Sequence, residues 1–376
     1  MGFLDAAARL AAFALIAVWV GYPAVIGLLA AIPRKRRAPY EDEQPRVSIV
    51  IATRDDAGAV RSRVEDCLRQ EYEVGKLQVV VALDARSPLP LDAFQDLGPR
   101  VSVVRGDGPG GKAGALNAGV GVATGDVLVF TDAHQRFEAQ AVRFLVNALQ
   151  VPGVGVASGS LVIPSRAGSA RLASLYWRFE RWLRRCEAQV RSCVGVSGSI
   201  YAMQRVLWKP LPIDLINDDV YIPMRAVLAG WRVGFSGRAK AIETRQHSEV
   251  SEYHRKVRTL TGVVQWCVRL PALLVPIRNP IWPQFLFHKL LRLLTPYWLL
   301  ILLLWAPVAA VRLSGSSLPI ALGLGALAVV VGIAATTRKP WGRRVRRLMA
   351  EAVLLNVAVI MAGYNGLRGR WHVWNR

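Results

Sequence analysis

Four short apolar runs, separated by polar and helix-like sequence, constrain the fold of this chain more than any other feature. They cover Val47–Ala52, Gln78–Leu83, Val101–Val104 and Val127–Phe130, and the stretch from 61 to 70 between the first two has helical spacing. Runs of this length and apolar character are typical of buried strands. Strands that alternate with helices predict an α/β domain built on a parallel sheet.

Acidic residues follow three of these runs at the point where each predicted strand ends. Asp55 and Asp56 follow the first run, Asp84 follows the second and Asp132 follows the fourth. Since parallel sheets bind ligands at the carboxyl ends of their strands, we expect these carboxylates to line one binding edge. For any single one of them, a helix cap or a turn is the alternative interpretation.

A glycine-rich run, GKAGALNAG from Gly111 to Gly119, lies between the third strand and a helical segment. Such a turn beside a strand that ends in a carboxylate suits an enzyme that holds a phosphorylated donor near a metal. The spacing Gly106-x-Gly108-x-x-Gly111 also fits a dinucleotide fingerprint, although a lone match is weak. A P-loop is disfavoured because Ala113 replaces the hydroxyl that would bind magnesium. A helix start that simply needs glycines is the remaining alternative.

Long uncharged stretches predict that the chain is anchored in a membrane. Leu10–Ile32 has 23 residues without a charge and is followed by the basic run Arg34–Arg37. At about 1.5 Å per residue this stretch spans a hydrocarbon core of about 30 Å. Because the charge follows the apolar stretch, an anchor fits better than a cleavable signal peptide. The basic flank places the residues after it in the cytoplasm.

Further apolar stretches occur near the other end of the sequence. Leu293–Val311 has 19 uncharged residues and Leu313–Thr337 has 25. The segment Arg338–Arg347 then holds six basic residues, which indicates a cytoplasmic loop. The last apolar stretch, Ala352–Leu367, has 16 residues and fits either a short span or a re-entrant or surface helix.

The formal net charge of +22 is carried by a chain that is 53% hydrophobic. Many basic residues adjoin the apolar stretches, so anionic membrane lipids explain the charge better than nucleic acid, for which no binding signature is present. The four cysteines show no paired metal-binding spacing and are expected to be buried thiols.

Seven motifs in a fixed order give the chain a resemblance to a known family. They are IATRDD at 51–56, LDARS at 83–87, GGKAGALNAG at 110–119, FTDAH at 130–134, VGVSGSIYAM at 194–203, NDDVYIPMRAVLAGWRV at 217–233 and RKVRTLTGVVQW at 255–266. From about 46 to 270 the chain resembles family 2 glycosyltransferases of the membrane-anchored branch that includes cellulose and hyaluronan synthases. The resemblance implies a GT-A fold, a mixed-sheet α/β domain, flanked by transmembrane helices.

The same resemblance implies which residues hold the sugar donor and the metal. Asp56 and Asp84 match positions that bind the nucleoside, and Lys112 and Asn117 match positions beside the nucleotide. Asp132 opens the Asp-x-Asp element that holds the divalent cation. Its third position is His134, an imidazole that suits Mn²⁺ better than Mg²⁺.

Asp219, preceded by Asp218, matches the general base of inverting family members. Two adjacent carboxylates can divide such work, one taking a proton while the other meets a cation or a backbone amide. The alternative is an Asp pair that caps a helix starting near Val220.

Basic and acceptor-side positions complete the implied site. Arg255 and Arg258 fall where synthases place basic residues near the departing diphosphate, and Gly198, Gln265 and Trp266 are the implied acceptor-side residues. Where those synthases have an Arg-Trp pair, this chain has Thr259 after Arg258, which weakens the expectation of acceptor stacking.

The sequence therefore predicts an inverting, metal-dependent membrane glycosyltransferase that moves a sugar from a nucleotide-diphosphate donor, expected to be a UDP-sugar, to a polysaccharide or lipid-linked acceptor. The predicted parts are an anchor at 1–37, a catalytic domain at 45–250, interfacial helices at 251–292 and membrane helices at 293–376. We expect a multi-pass plasma-membrane protein with a cytoplasmic catalytic domain. A processive channel would require a homo-oligomer. The rivals are a catalytically degenerate nucleotide-sugar-binding scaffold and a basic nucleic-acid-binding membrane protein.

Overall fold

The computed structural model describes residues 2–33, 44–163, 171–244, 249–314, 354 and 356–371. The chain divides into two compact units. The first comprises Met1–Val25, Ser248–Val264 and Leu286–Gly369, and the second comprises Ile26–His247, Gln265–Phe285 and Arg370–Arg376.

Several predicted segments lie outside the described residues. They are the basic flank Arg34–Arg37, the span Leu313–Thr337 beyond its first two residues, and the basic loop Arg338–Arg347. Residues 356–367, within the last apolar stretch, are helical.

Among the described residues between 2 and 314 there are eight strands and eleven α-helices. The strands are β1 (Val47–Thr53), β2 (Leu77–Leu83), β3 (Val101–Arg105), β4 (Val127–Thr131), β5 (Gln135–Phe137), β6 (Val154–Val162), β7 (Tyr201–Gln204) and β8 (Arg232–Glu243). The helices are α1 (Phe3–Ile16), α2 (Tyr22–Ala31), α3 (Ala57–Leu68), α4 (Lys112–Val122), α5 (Ala141–Leu149), α6 (Arg171–Val190), α7 (Asp218–Leu228), α8 (Glu249–Arg269), α9 (Trp282–Phe285), α10 (Leu291–Leu293) and α11 (Thr295–Ser314).

The strands form one sheet in the order β3-β2-β1-β4-β7-β6-β8-β5. The four strands predicted from the sequence, β1 to β4, are parallel, as expected. Strand β7 is antiparallel to both β4 and β6, and β5 is antiparallel to β8, so an all-parallel sheet is wrong for the second half. The mixed sheet that the family resemblance implied is confirmed. Strand β6 was not predicted because its sequence, VGVASGSLV, mixes small and polar residues and has no continuous apolar run.

The register brings the carboxyl ends of the parallel strands to one edge. Thr53 pairs with Leu83, and Ile51 pairs with Thr131, so β1, β2 and β4 end close together. Asp84 and Asp132 each follow directly on one of these strand ends, so both lie at this edge, and its role in binding stays a prediction.

Helices cover both faces of this sheet. On one face α3 buries Val60 and Val64 completely against alternate residues of the strands, such as Ile49. On the other face α4 packs so closely that a Cβ on Gly119 would lie 2.8 Å from Val50 Cγ1 and 2.9 Å from Ala82 Cβ. Val50 and Ala82 face α4 because strand side chains alternate between the two faces of a sheet. The short distances leave room only for a glycine at position 119, which sets the distance between α4 and the sheet.

The first unit contains an antiparallel pair of apolar helices. Near one end of the pair the Arg312 guanidinium lies 2.8 Å from Asp5, and near the other Trp19 Nε1 donates to Thr295 Oγ1 at 3.1 Å. Phe3–Ala31 and Thr295–Arg312 are long and apolar enough to cross a membrane, with mean hydropathies of 2.1 and 1.4. Both coincide with spans expected from the sequence, whereas the predicted domain boundaries stay predictions.

Candidate active site

The site begins with Asp84, whose carboxylate organises the glycine-rich turn. Its Oδ2 accepts from the Gly111 backbone N–H at 2.7 Å, and its Oδ1 accepts from the backbone N–H of Arg86 at 2.9 Å and from the guanidinium at 3.1 Å. Burial would raise the pKa of Asp84, but the hydrogen bonds from Arg86 and Gly111 lower it below its ordinary value. Asp84 is therefore an anion that holds the start of α4 in place.

Asp56 caps helix α3, in agreement with the alternative considered for it. Its Oδ1 accepts from the Ala59 backbone N–H at 3.0 Å. This hydrogen bond lowers the pKa of the Asp56 carboxyl. A cap uses one oxygen, so the predicted contact of Asp56 with a nucleoside stays a prediction.

Lys112, the first residue of α4, joins two carboxylates that are distant in sequence. Its Nζ lies 2.9 Å from Asp132 Oδ1 and 3.3 Å from Asp218 Oδ1. Burial would lower the pKa of Lys112, but the charges of Asp132 and Asp218 raise it well above its ordinary value. The site thus contains a permanent ammonium between the predicted metal ligand and the predicted catalytic pair.

The two adjacent aspartates occupy different environments at the start of α7. Asp218 is buried, and its Oδ2 accepts from the Tyr201 hydroxyl at 3.3 Å. Burial, followed by the charge of Asp218, raises the pKa of Tyr201 well above its ordinary value, so Tyr201 stays a donor. Asp219 is half-buried. Helix α7 begins at Asp218, two residues before the predicted start near Val220.

Gly198 makes room for Asp219. A Cβ at position 198 would lie 3.2 Å from Asp219 Cβ and 3.4 Å from Asp219 Oδ2. The backbone on the other side is fixed because Val196 N–H donates to the Asp219 carbonyl at 2.9 Å. A side chain at position 198 would crowd the Asp219 carboxylate, so the structure brings these two predicted site residues together.

His134 is held by a carboxylate that sequence reasoning left without a role. Its Nε2 lies 2.9 Å from Asp55 Oδ1, and Thr53 Oγ1 donates to Asp55 Oδ2 at 2.9 Å. Because an ionised carboxylate only accepts, His134 Nε2 is the donor of this hydrogen bond. A carboxylate behind a histidine is the arrangement that orients imidazole ligands of metals.

The donor atoms at this edge fit a divalent cation that also binds a diphosphate. Among the described residues, no three His, Cys, Asp or Glu side chains cluster closely enough to form a complete metal site. Asp132 offers oxygen and His134 offers nitrogen, and cations of nucleotide enzymes commonly combine one or two protein ligands with phosphate oxygens. The mixed oxygen and nitrogen set suits Mn²⁺.

Asn117 and Gln265 support the segment that leads to α7. The Asn117 amide donates to the Leu211 carbonyl at 2.9 Å and accepts from the Leu211 N–H at 2.8 Å. Buried Gln265 donates to the Asp214 carbonyl at 2.9 Å and accepts from the Ile216 N–H at 3.0 Å. Both amides are therefore occupied by backbone groups, and their contacts with donor and acceptor stay predictions.

The remaining predicted site residues lie on α8. Trp266 is buried, with 2% of its surface exposed. Arg255 is exposed and Arg258 is half-buried, and both belong to the first unit. Their predicted roles with the acceptor and the departing diphosphate stay predictions.

Arg63 supports the site from below, a role that was not predicted from the sequence. Its side chain is completely buried beneath the metal motif, where Nη2 donates to Thr131 Oγ1 at 2.9 Å and Nη1 pairs with Asp66. Thr131 in turn donates to the Ser199 carbonyl at 2.9 Å, beside Gly198. An arginine within a helical pattern normally indicates a solvent-facing side, so the sequence held no signal for this position.

Comparisons with known proteins agree with this geometry. Residues 48–200 match the model of the family Glycosyl transferase family 2. The chain is 24% identical over 238 residues to a beta-monoglucosyldiacylglycerol synthase of Synechocystis sp., and 28% identical over 131 residues to the succinoglycan biosynthesis protein ExoO of Rhizobium meliloti. These alignments cover 59% and 35% of this chain, and 48% and 37% of those relatives, so the chain spans less than half the length of either.

A solved structure shares the fold over nearly the whole chain. It is a mannosyltransferase from Pyrobaculum calidifontis in complex with GDP-Man and Mn²⁺, with a TM-score of 0.68 and 22% identity. The match covers 97% of this chain and 99% of that one. Residues 48–200 therefore match a family 2 glycosyltransferase model, and the solved structure shares the fold of the chain.

Proposed function

We propose that this protein transfers a sugar from a nucleotide-diphosphate donor to a membrane-associated acceptor with inversion at the anomeric carbon. The observation that carries the proposal is the convergence of Lys112, Asp132 and Asp218 at the carboxyl edge of the sheet, next to Asp219. A cation, a metal-binding oxygen and a carboxylate pair are the groups that a displacement of diphosphate requires.

Asp219 is the better candidate for the general base. Asp218 is buried and already contacts Lys112 and Tyr201, which restricts its carboxylate. Asp219 is half-buried beside Gly198, so it is the more exposed carboxylate of the pair. In the proposed step Asp219 takes the hydroxyl proton, the acceptor oxygen bonds to the anomeric carbon, and the bond from that carbon to the diphosphate breaks.

The departing diphosphate gains negative charge, which positively charged groups of the site would stabilise. Lys112 supplies a permanent positive charge, and Asp132 with His134 would hold Mn²⁺ or Mg²⁺. When bound, the cation supplies Lewis-acid stabilisation of the leaving diphosphate. Asp84 and Asp56, at the ends of neighbouring strands, are proposed to bind the nucleoside of the donor.

The acceptor is proposed to be a lipid or a lipid-linked or polysaccharide chain. Two apolar helices long enough to cross a membrane support a location at the plasma membrane, with the catalytic domain on the cytoplasmic side. Relatives named for a glucosyldiacylglycerol and for succinoglycan are consistent with a glycolipid or polysaccharide product. A processive polymerase would need a homo-oligomer to form a channel.

A donor panel tests the proposed function. Purified full-length protein in detergent, supplied with Mn²⁺, membrane lipid extract and UDP- or GDP-linked sugars, should release free nucleotide diphosphate and give a product whose mass increases by one or more sugars. UDP-sugars and GDP-Man are the first donors to test, the latter because the solved mannosyltransferase holds it. Binding of a donor without transfer or hydrolysis would favour the degenerate nucleotide-sugar-binding scaffold.

A further inference from the structure

The Lys112 ammonium lies against the carboxylate that is predicted to bind the divalent cation. It lies 2.9 Å from Asp132 Oδ1, and its second partner, Asp218 Oδ1, is 3.3 Å away. The fold sets this position, since Lys112 opens α4, the preceding Gly111 is bonded to Asp84, and Gly119 seats the helix on the sheet. The ammonium is thus a built-in feature of the site.

A metal bound to Asp132 would lie close to this ammonium. A cation such as Mg²⁺ binds a carboxylate oxygen at about 2.0–2.1 Å, and two cations that close repel strongly in a partly buried site. Without a donor, therefore, the charge of Lys112 opposes the binding of a metal at Asp132.

We propose that Lys112 is a built-in counter-cation that competes with the divalent ion for Asp132 until a nucleotide diphosphate draws the ammonium away. This inference rests on the proposed function. The diphosphate brings the negative charge that both the metal and Lys112 need, while Asp218 keeps the ammonium within the site. Metal binding is then weak in the absence of nucleotide and strong in its presence, so the complete site forms only around a donor.

Mn²⁺ titration of the full chain in detergent tests this competition without reference to turnover. The concentration of free Mn²⁺ is measured by electron paramagnetic resonance for the wild type, Lys112→Met and Lys112→Arg. Lys240→Met is the matched control, since it removes one positive charge from an exposed pair with Glu138, 3.0 Å away, outside the site. We expect Lys112→Met to bind Mn²⁺ about tenfold more tightly than the wild type, the size of effect that a neighbouring charge has on a carboxylate.

Lys240→Met, and Lys112→Arg, which keeps the positive charge, should both bind Mn²⁺ as the wild type does. Adding UDP or GDP, each with a protein-free correction, should tighten Mn²⁺ binding much more in the wild type than in Lys112→Met. Lys112→Gln, whose amide can still donate to Asp132, replaces the Met variant if that one fails to fold. Unchanged or weaker Mn²⁺ binding by the uncharged Lys112 variants would overturn the inference.

Asp132→Ala separates this inference from the function on which it rests. If Asp132→Ala abolishes Mn²⁺ binding and the uncharged Lys112 variants do not tighten it, the metal site stands and only the competition is overturned. If Asp132→Ala binds Mn²⁺ as the wild type does, the metal site of the proposed function is overturned together with the competition.

Discussion

At the level of single residues, chemically identical carboxylates lie in different environments within the site. Asp218 and Asp219 are adjacent, yet Asp218 is buried against Lys112 and Tyr201 whereas Asp219 is half-buried beside Gly198. Likewise Asp56 caps a helix while its neighbour Asp55 bonds to His134. The environment of each carboxylate, rather than its residue type, determines what it can do.

The near-isosteric substitution Asp219→Asn should retain the fold and the donor affinity but reduce transfer by about 10²–10⁴-fold, because a positioned base contributes that much. Transfer is measured by product mass spectrometry and donor affinity by calorimetry in the same preparation. Asp218→Asn is the matched comparison. If Asp218→Asn loses transfer and Asp219→Asn does not, the base is Asp218, and if both stay active the proposed mechanism is wrong.

Removing the carboxylate behind His134 should weaken the metal site. Asp55→Asn no longer fixes the imidazole tautomer, so we expect Mn²⁺ affinity to fall about 10–100-fold, as for other lost partners of metal-bound histidines. His134→Ala should shift the metal preference toward Mg²⁺. Asp96→Asn, which removes a carboxylate paired with Arg61 elsewhere, is the control for net charge. Wild-type Mn²⁺ affinity and preference in both variants would return His134 to a structural role.

At the scale of elements, the site depends on how closely α4 and the segment before α7 are held. Helix α4 carries Lys112 and meets the sheet at Gly119, and Asn117 on the same helix clamps the backbone of Leu211. Gln265 holds Ile216 from the other side. These contacts transmit the position of α4 to the aspartate pair, which lies two residues beyond Ile216.

Two glycines of α4 should respond in opposite ways to the same substitution. Gly119→Ala places a Cβ 2.8 Å from Val50 and should destabilise the fold by about 1–3 kcal/mol despite a gain in helix propensity. Gly121→Ala meets no atom within 4 Å and should stabilise it by up to about 1 kcal/mol. Thermal unfolding in detergent compares the two. Equal melting temperatures would contradict the close packing of α4 on the sheet.

At the scale of the whole molecule, the apolar helices restrict the topology. Because α1 and α11 are antiparallel, Trp19 and Thr295 lie toward one end of the pair and Asp5 and Arg312 toward the other. Each helix contains a stretch that is long and apolar enough to cross a membrane. If they span a membrane, residues after Ile32 and residues before Thr295 are on the same side.

Reporter fusions test that arrangement. A reporter active only in the cytoplasm should be active when fused after residue 40 and again after residue 250, because the basic run Arg34–Arg37 favours the cytoplasmic side. A reporter active only outside the cytoplasm, fused at the same two positions, is the control and should be silent. Activity of the second reporter at either position would contradict the proposed topology.

Features that depend on local pattern could be predicted from the amino-acid sequence. The four apolar strands, the helix at 112–122, the acidic strand ends and the two described apolar helices all follow from the spacing of apolar and polar residues along a few turns. The order of the motifs pointed to the family. None of this required knowledge of which segments meet.

The contacts between side chains that are distant in sequence follow only from the three-dimensional fold. His134 bonds to a carboxylate 79 residues away, Asn117 to a backbone 94 residues away, and Lys112 to aspartates from a strand end and a helix start. Strand β7 is antiparallel to both of its neighbours, a direction that its own sequence does not indicate. Local periodicity determines which face of an element is apolar, whereas packing of distant segments determines which charged groups are brought within bonding distance.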